Sequence, residues 1–560
     1  MDDEMAMMEK MKVWRLVERP QGARLMKAGW TYADKFNAEG TLEKHKARLV
    51  AKGFTQIPGV DFFQSYAGVV RYESLRILLA MGVSLNMFIW QADYASAYLN
   101  APNQVPVLME QPEGYEITSL KDFVPDQVVR IPNANGPVLE VLAYVRKGGE
   151  VHKVVDEPSY SAAAKQEENL DLVALLDKSL YGTVDGAYNW AETLNKSMIA
   201  QGYHRSQADQ SVRARFVDGE HTVTGTYTDD VTGMNTTREG YQKAVADLGK
   251  DFTIKDLGEA NNIIGLGITR SWENGILIIS QQPFLLRVLK RFGMQDCAPK
   301  YTPLPTGYVL SKTQCPTTTE ERTEMANKPY REVLGSLMFA QMASRPDLSF
   351  AVSTLAQFSS NPGIAHWNAL MHVLAYVKAT IHFRLLYGGK GFESYMPHGY
   401  VDADYASETD KRRSVTGYVF IQAGGPTAWS SKRQPTPAQS TTEAEYMAMS
   451  RAAQQLKWMY SSLSEVGRPQ PRPAILRADN MGAIDIARNE KSGAKVKHID
   501  VREHYIRDRV GSGDIALEYT PSLENLADLF TKVVGRTAHF RFCAALRLCD
   551  QDDPLVRKND

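Results

Sequence analysis

From His221 to Tyr227 the chain is rich in Thr, Val and Tyr, and from Val231 to Met234 that character resumes. Between them stand Thr228 and two adjacent acids, Asp229 and Asp230. The pattern predicts strand, tight turn, strand, with both carboxylates at the turn. No Gly or Asn supplies the usual hairpin chemistry there. Met87 to Asp93 predicts a mostly apolar strand ending in an acid, and Tyr94 to Leu99 the start of a helix. Phe284, Leu285, Val288, Leu289 and Phe292 fall at helical spacing, and Gly293 closes that helix. Residues 299–328 hold Pro303, Pro305, Pro316 and three consecutive Thr, which suits a linker. Residues 329–385 read as helices, and 396–535 as strands followed by alternating helix and strand. Residues 117–172 are charged, Ala-rich and weakly periodic around Lys147-Gly148-Gly149-Glu150, and predict an insertion or a mobile loop.

Composition narrows the class. A chain of 560 residues with 43% hydrophobic and 23% charged residues is ordinary for a globular protein of several domains. No apolar run reaches the roughly 18 residues of a membrane span. The first residues, Met1-Asp2-Asp3-Glu4, are acidic and form no secretory signal. Cys297, Cys315, Cys543 and Cys549 have no metal-ligand spacing, so reduced thiols and an intracellular setting are expected, cytoplasmic or nuclear and not secreted. A net charge of −1 means that contact with nucleic acid must come from local basic patches.

Adjacent like charges repel, yet they become favourable around divalent cations. A two-metal site for nucleotidyl transfer needs one carboxylate from a strand end and more from a hairpin turn, which Asp93 with Asp229 and Asp230 would supply. Asp93 equally suits a cap on the helix that follows it. Tyr98, five residues further on, reads either as a core aromatic or as a block to a nucleotide 2′-hydroxyl. A second set lies in residues 396–535. Asp402 and Asp404 share a strand face, so periodicity leaves both open. Ser440 with Glu443 fits a capping box. Glu445 lies instead on the apolar stripe with Met449, Ala452, Leu456 and Met459, where a carboxylate is costly unless paired or metal-bound. Asp479 ends a strand and Asp528 precedes the last helical stretch. An acid on a first strand, one on a helix, one at a later strand end and one near the C-terminal helix form the layout of a metal-dependent nuclease. His498 and His504 lack zinc spacing; Lys495, Lys497, Arg502, Arg507 and Arg509 suit phosphate contacts or a solvated face.

Lys46-Ala47-Arg48-Leu49-Val50-Ala51-Lys52-Gly53-Phe54, Val69-Val70-Arg71, Gln91-Ala92-Asp93, Ala97-Tyr98-Leu99-Asn100, Met109-Glu110-Gln111-Pro112, Lys178-Ser179-Leu180-Tyr181-Gly182 and Lys255-Asp256-Leu257-Gly258-Glu259 follow one another in fixed order. Together they resemble the reverse transcriptases of Ty1/copia-type retrotransposons, over roughly residues 10 to 535. Asp402-Ala403-Asp404-Tyr405-Ala406, Trp429-Ser430-Ser431-Lys432-Arg433, Ser440 to Tyr446, Ala478-Asp479-Asn480 and Ala527-Asp528 resemble the ribonuclease H domain that follows them.

The resemblance implies an α+β right-hand polymerase followed by a helical connection and an α/β ribonuclease H-like domain. Fingers and palm would span 1–275, thumb and linker 276–325, the connection 326–395, the nuclease 396–535 and a tail 536–560. It implies Asp93, Asp229 and Asp230 as polymerase metal ligands, and Lys46 and Arg48 beside the incoming triphosphate. It selects Asp402 over Asp404, with Glu445, Asp479 and Asp528, as the nuclease ligands. Two Mg²⁺ per site, or Mn²⁺ in their place, are the implied cofactors. RNA template, DNA primer, RNA–DNA hybrid and dNTPs are the implied partners, in the cytoplasm (within a virus-like particle) or the nucleus. After Tyr181-Gly182, however, Thr183 to Asn189 depart from the family's Leu-Lys-Gln-Ser-Pro-Arg-Ala, with Asp185 where a nucleotide-contacting Gln is expected. An anion there would repel a triphosphate. The alternative is therefore a polymerase-dead or wholly non-catalytic nucleic-acid-binding relic. Without a protease or integrase word, the chain reads as a piece of a larger polyprotein or of a degraded element.

Overall fold

The structure is a computed structural model that describes residues 1–36, 42–132, 138–146, 170–488 and 504–550. Helix α1 (Asp2–Lys10) precedes strand β1 (Trp14–Glu18) and the hairpin β2 (Ala28–Phe36) and β3 (Leu42–Ala51), which is a two-stranded sheet of its own. Then come α2 (Tyr72–Ser84), β4 (Phe88–Tyr94), β5 (Pro102–Met109), β6 (Phe123–Ile131), β7 (Leu139–Arg146) and β8 (Leu172–Lys178). A five-stranded sheet runs β5-β8-β1-β7-β6. Strands β6 and β7 thus lie where an insertion or loop was expected. In β7, Val141 and Ala143 are buried while Glu140 and Arg146 stay exposed. Arg15 on β1 fastens this sheet through ion pairs of 2.7 Å to Asp126 and 2.6 Å to Asp177.

The next elements are α3 (Gly186–Ala200), β9 (His204–Arg205), β10 (Val212–Val217), β11 (Glu220–Tyr227), β12 (Asp230–Asn235), α4 (Arg238–Leu248) and β13 (Ile254–Glu259). They build a six-stranded sheet of order β13-β4-β12-β11-β10-β9 around β4. Side chains of β4 alternate between two cores. Phe88, Trp90, Ala92 and Tyr94 pack with Trp190, Leu194, Tyr241 and Leu248 of α3 and α4. Ile89 packs with α2 on the other face. The expected helix at Tyr94–Leu99 is absent. Tyr94 still belongs to the strand, Ser96 takes φ +53°, and only a short 3₁₀ turn at Ala97–Asn100 follows.

Strands β14 (Asn262–Ile263), β15 (Leu266–Ser271) and β16 (Ile276–Ser280) lead to helices α5 (Gln282–Arg291), α6 (Thr319–Ala326), α7 (Tyr330–Ala343), α8 (Ser349–Ala356) and α9 (Ile364–Ala379). Leu285, Val288 and Leu289 of α5 share one core with α7, α8 and α9. Strand β17 (Leu385–Gly388) returns to pair with β16. The boundaries drawn at 275 and 325 therefore cut across this packing. The expected linker at 299–328 carries α6, closed by a capping box between Thr318 and Glu321.

The last unit holds β18 (His398–Asp404), β19 (Val415–Gln422), β20 (Gly425–Arg433), α10 (Thr441–Glu465), β21 (Ala474–Ala478), α11 (Met481–Arg488), α12 (Tyr505–Gly511), β22 (Ile515–Tyr519) and α13 (Arg536–Ala545). Its sheet runs β20-β19-β18-β21-β22, with β18, β21 and β22 mutually parallel and β19 antiparallel to both of its neighbours, β18 and β20. Helix α10 packs on β18 and its buried stripe fills the core. The whole is a mixed α/β protein, and among the described residues no helix is long and apolar enough to cross a membrane.

Candidate active sites

In the six-stranded sheet Asp230 lies directly opposite Asp93 across the antiparallel β12–β4 pair. Directly opposed residues share a face, so both carboxylates point the same way. Tyr227 pairs with Asp230, which leaves Thr228 and Asp229 as a two-residue turn. Thr228 takes φ +58°, a left-handed conformation that a β-branched residue enters only under constraint. Two hydrogen bonds supply the constraint. Trp190 Nε1 donates to Thr228 O at 2.7 Å, and Tyr94 N donates to Asp229 O at 2.9 Å. Gly233 lets the neighbouring strands close, because a Cβ there would meet the Trp90 ring at 2.1 Å. All three acids are half-buried. Burial, then the charges of Asp229 and Asp93, push the Asp230 carboxyl up to about 6. On the far side of β4, Lys255 of β13 is the cross-strand partner of Asp93. The sequence offered Lys255 only as part of a matching stretch and with no place beside Asp93, since pairing register between distant strands has no local signature.

The Tyr98 hydroxyl hydrogen-bonds Thr228; burial, then Asp229, raise its pKa. Its ring meets Tyr181 edge-on at 5.4 Å, and the Arg48 guanidinium lies 4.9 Å from the Tyr181 centroid. Tyr98 and Arg48 thus border the acids. Lys46 sits one pleat further out on β3, opposite Ala33. Asp185 is closed off from solvent. It is 2% exposed, and it accepts from Asn189 Nδ2 at 2.8 Å and from Gln56 Nε2 at 3.5 Å. The expected repulsion of a triphosphate has no basis in this geometry. The carboxylate is a buried acceptor at the start of α3.

In the last unit Asp402, Glu445 and Asp479 bring carboxylate oxygens within 4.8 Å of one another. Asp402 is near the end of β18 and Asp479 just past the end of β21, so parallel pairing sets the two side by side. Glu445 enters from the first turns of α10, whose N-cap Ser440 accepts from Glu443 N at 3.2 Å. Glu443 itself turns back to accept from Gln439 N at 2.7 Å. Asp528 is carried by a 3₁₀ segment, Leu526–Phe530, that Asn525 ties to β18 through a 3.0 Å bond to Val401 O. Gly417, opposite Asp402, makes room for it; a Cβ there would lie 2.6 Å from Thr531 and 2.8 Å from Phe530. Thr531 Oγ1 donates to Asp402, and Lys532 pairs with Asp528 at 2.9 Å. Sequence reasoning missed both. Lys532 had only its i+4 spacing from Asp528 to mark it.

Electrostatics at this second cluster are severe. Burial, then Asp402 and Asp479, push the Glu445 carboxyl up to about 10. Burial and Asp402 push Asp528 up to about 7, against the pull of Lys532. Glu445 Oε2 is buried with no hydrogen-bond partner. An orphaned oxygen among crowded carboxylates fits a hard cation, or a proton in its place. Asp404 is half-buried, its pKa raised by burial, with Ser407 as a hydrogen-bond partner. Of the basic residues, Arg509 pairs with Asp514 at 2.9 Å and Arg507 donates to Ile486 O at 3.3 Å. His504 Nδ1 lies 3.1 Å from the Tyr446 hydroxyl. Lys495, Lys497, His498 and Arg502 lie outside the described residues.

A family model described as reverse transcriptase (RNA-dependent DNA polymerase) matches residues 11–131 and 148–306, passing over 132–147 in the segment first read as an insertion. The retrovirus-related Pol polyprotein from transposon TNT 1-94 of Nicotiana tabacum is 34% identical over 547 residues, 98% of this chain and 37% of the relative. The corresponding polyprotein from transposon RE2 of Arabidopsis thaliana is 30% identical over 94% of this chain and 32% of its own length. That from transposon RE1 of Arabidopsis thaliana is 29% identical over 95% of this chain and 32% of its own length. The chain thus spans about a third of the length of these curated relatives. With a matching family model over half its residues and near-complete alignment to transposon polyproteins, the chain belongs to the Ty1/copia-type reverse transcriptase family.

Proposed function

We propose that the chain is an RNA-directed DNA polymerase with a ribonuclease H activity, from a copia-type retrotransposon. The observation that carries this reading is the direct opposition of Asp93 and Asp230 with Asp229 in the adjoining turn. In this reading the six-stranded sheet is the palm, the β2–β3 hairpin belongs to the fingers, and the last unit is the nuclease. Reverse transcriptases use divalent cations. Asp93, Asp229 and Asp230 would hold Mg²⁺ in the polymerase site, and Asp402, Glu445, Asp479 and Asp528 in the nuclease site. Bound there, paired cations neutralise charge on the attacking and leaving oxygens of an in-line displacement.

The chain's own residues do the rest. Arg48, flanking Tyr181, offers a cation to the triphosphate, and Lys46 extends that basic face outward. Tyr98, held by Thr228, supplies a wall at the sugar 2′ position, where a ribonucleotide carries its extra hydroxyl. In the nuclease site Thr531 fixes the orientation of Asp402, and Lys532 keeps Asp528 turned inward. The substrate there is the RNA strand of a hybrid, read by 2′-hydroxyls and groove shape.

Primer extension on poly(rA)/oligo(dT) with Mg²⁺, run beside cleavage of an RNA–DNA hybrid, tests the reading. Asp230→Asn is expected to lower synthesis on the order of a thousandfold and spare cleavage, and Glu445→Gln the reverse. Wild-type chain that binds hybrid but performs neither reaction would leave the nucleic-acid-binding relic in its place.

A further inference from the structure

Three parts of the chain meet at Arg76. This arginine of α2 is 1% exposed, and its hydrogen bonds go to backbone carbonyls of other parts. Nε donates to Thr427 O on β20 at 2.8 Å, and Nη1 to Met342 O and Ala343 O at the end of α7, at 2.7 and 3.0 Å. The guanidinium lies 3.9 Å from the centroid of the Trp429 ring, and Trp429 Nε1 donates to Gln341 O at 3.1 Å. A buried cation whose hydrogen bonds all cross to other segments does more than fill space. Its planar fork fixes their mutual angle, which an apolar side chain would not do.

A second fastening lies at the far end of the nuclease unit. Glu465 closes α10, exposed to solvent, and its Oε2 accepts from Ser206 Oγ at 2.6 Å, Gln207 N at 2.7 Å and Ala208 N at 3.0 Å. Trp458, two turns back on α10, donates to Ala208 O at 3.0 Å. The 206–209 loop connects β9 to β10 of the six-stranded sheet, and its Asp209 accepts from Arg71 N and Ser74 Oγ at the head of α2. The same α2 carries Arg76. Glu445 and Glu465 stand 20 residues apart on one helix, about 30 Å along its axis. Helix α10 therefore has one end in the nuclease acid cluster and the other on the sheet that carries Asp93, Asp229 and Asp230.

We infer that Arg76 and Glu465 are positioning residues that fasten the last unit to the six-stranded sheet, Arg76 joining α2 to β20 and the end of α7 and Glu465 seating the end of α10 on the 206–209 loop, and so set the distance and angle between the two acid clusters. This rests on the function proposed above. Neither residue touches a reacting group in either site. Their role is to make the place where RNA is cut depend on the place where the primer ends.

The test uses the full chain, an end-labelled RNA template carrying a recessed DNA primer, and Mg²⁺. Wild type is expected to make its first cuts in a narrow set at constant distance from the primer 3′ end. Glu465→Ala should widen that set by several nucleotides while leaving cleavage of a long hybrid with no primer end unchanged, and Glu465→Gln, which keeps a carbonyl acceptor, should restore part of the register. Arg76→Lys should act in the same direction and more strongly; should it fail to fold, the surface variants at 465 still decide. Hydrogen exchange read by mass spectrometry on the peptide spanning 204–210 gives a readout without catalysis. Loss of three charge-assisted bonds is expected to speed exchange there on the order of tenfold. Unchanged exchange in Glu465→Ala overturns the joint, even in a chain that proves inactive. Faster exchange with an unchanged cut distribution overturns its positioning role.

Discussion

Asp93, Asp229 and Asp230 stand on two paired strands and one turn and are half-buried, whereas Asp402, Glu445, Asp479 and Asp528 come from four separate segments, with all but the half-buried Asp479 buried. The first cluster is local in construction. One hairpin and one neighbouring strand suffice, and Asp230 is pushed to about 6. The second is assembled from residues spread between positions 402 and 528, and pushes Glu445 to about 10 and Asp528 to about 7. Burial makes the difference. In the first cluster Asp93 and Asp230 share a face beside the solvent-facing turn. At Glu445 and Asp528 burial disfavours the charged form, so a cation bound by these two would expel protons.

The largest separation of the two regions is expected from Gly233→Ala. The added methyl would collide with the Trp90 ring, part a strand from its neighbour and disturb Asp230 three residues away. A loss of about 3 kcal/mol is expected at that overpacked site, with synthesis falling and hybrid cleavage spared. Equal loss of both activities, beside an unfolding midpoint unchanged from wild type, would dissolve the distinction between the regions.

A pH series sharpens it next. The Glu445 carboxyl titrates near 10 in the fold and near its ordinary 4.5 when unfolded. The folded state therefore holds more protons across that window, and stability falls as pH rises through it. Glu445→Gln is neutral throughout, so in EDTA its unfolding midpoint should exceed that of wild type by a few degrees at pH 8 and by much less at pH 5. A gap independent of pH would mean that Glu445 is not held neutral by its surroundings.

The smallest effect is expected at Asp185. Asn189 and Gln56 use it as an acceptor, so Asp185→Asn should lower stability by about 1 kcal/mol and leave the KM for dTTP unchanged. A clear drop in KM would return Asp185 to the nucleotide pocket and weaken the claim that it is a structural acid.

Much of this was legible in the chain. The hairpin at 229–230, the acid-terminated strands at 93 and 479, the capped start of α10 and the helix ending at Gly293 are local patterns, carried by side-chain period and turn chemistry. Even the choice of Glu445 over Glu443 followed from a helical stripe, because a capped residue and a core-facing residue differ in phase. What stayed hidden is what depends on register between distant segments. Asp93 is 137 residues from its partner Asp230, and no window of sequence encodes that pairing. Asp93 was grouped with Asp229 and Asp230 without that register, while the places of Lys255 and Thr531 beside the acids depend on register of this kind and went unseen. The strands at 123–131 and 139–146 were obscured differently. β6 carries a bulge near Pro125 and β7 buries only part of its alternation, so their period looked weak. Asp185 was misjudged because a side chain's direction at a helix start depends on partners as remote as Gln56.

The central claim is that two separate acid clusters each hold divalent cations, the inner one with proton release. Calorimetric titration of the full chain with Mn²⁺ at pH 7, in two buffers of different ionisation enthalpy, tests it most directly. The account predicts two classes of site, one lost in Asp230→Asn and the other in Glu445→Gln, with proton release confined to the class that Glu445→Gln removes. The same number of bound ions in wild type and both variants would contradict it.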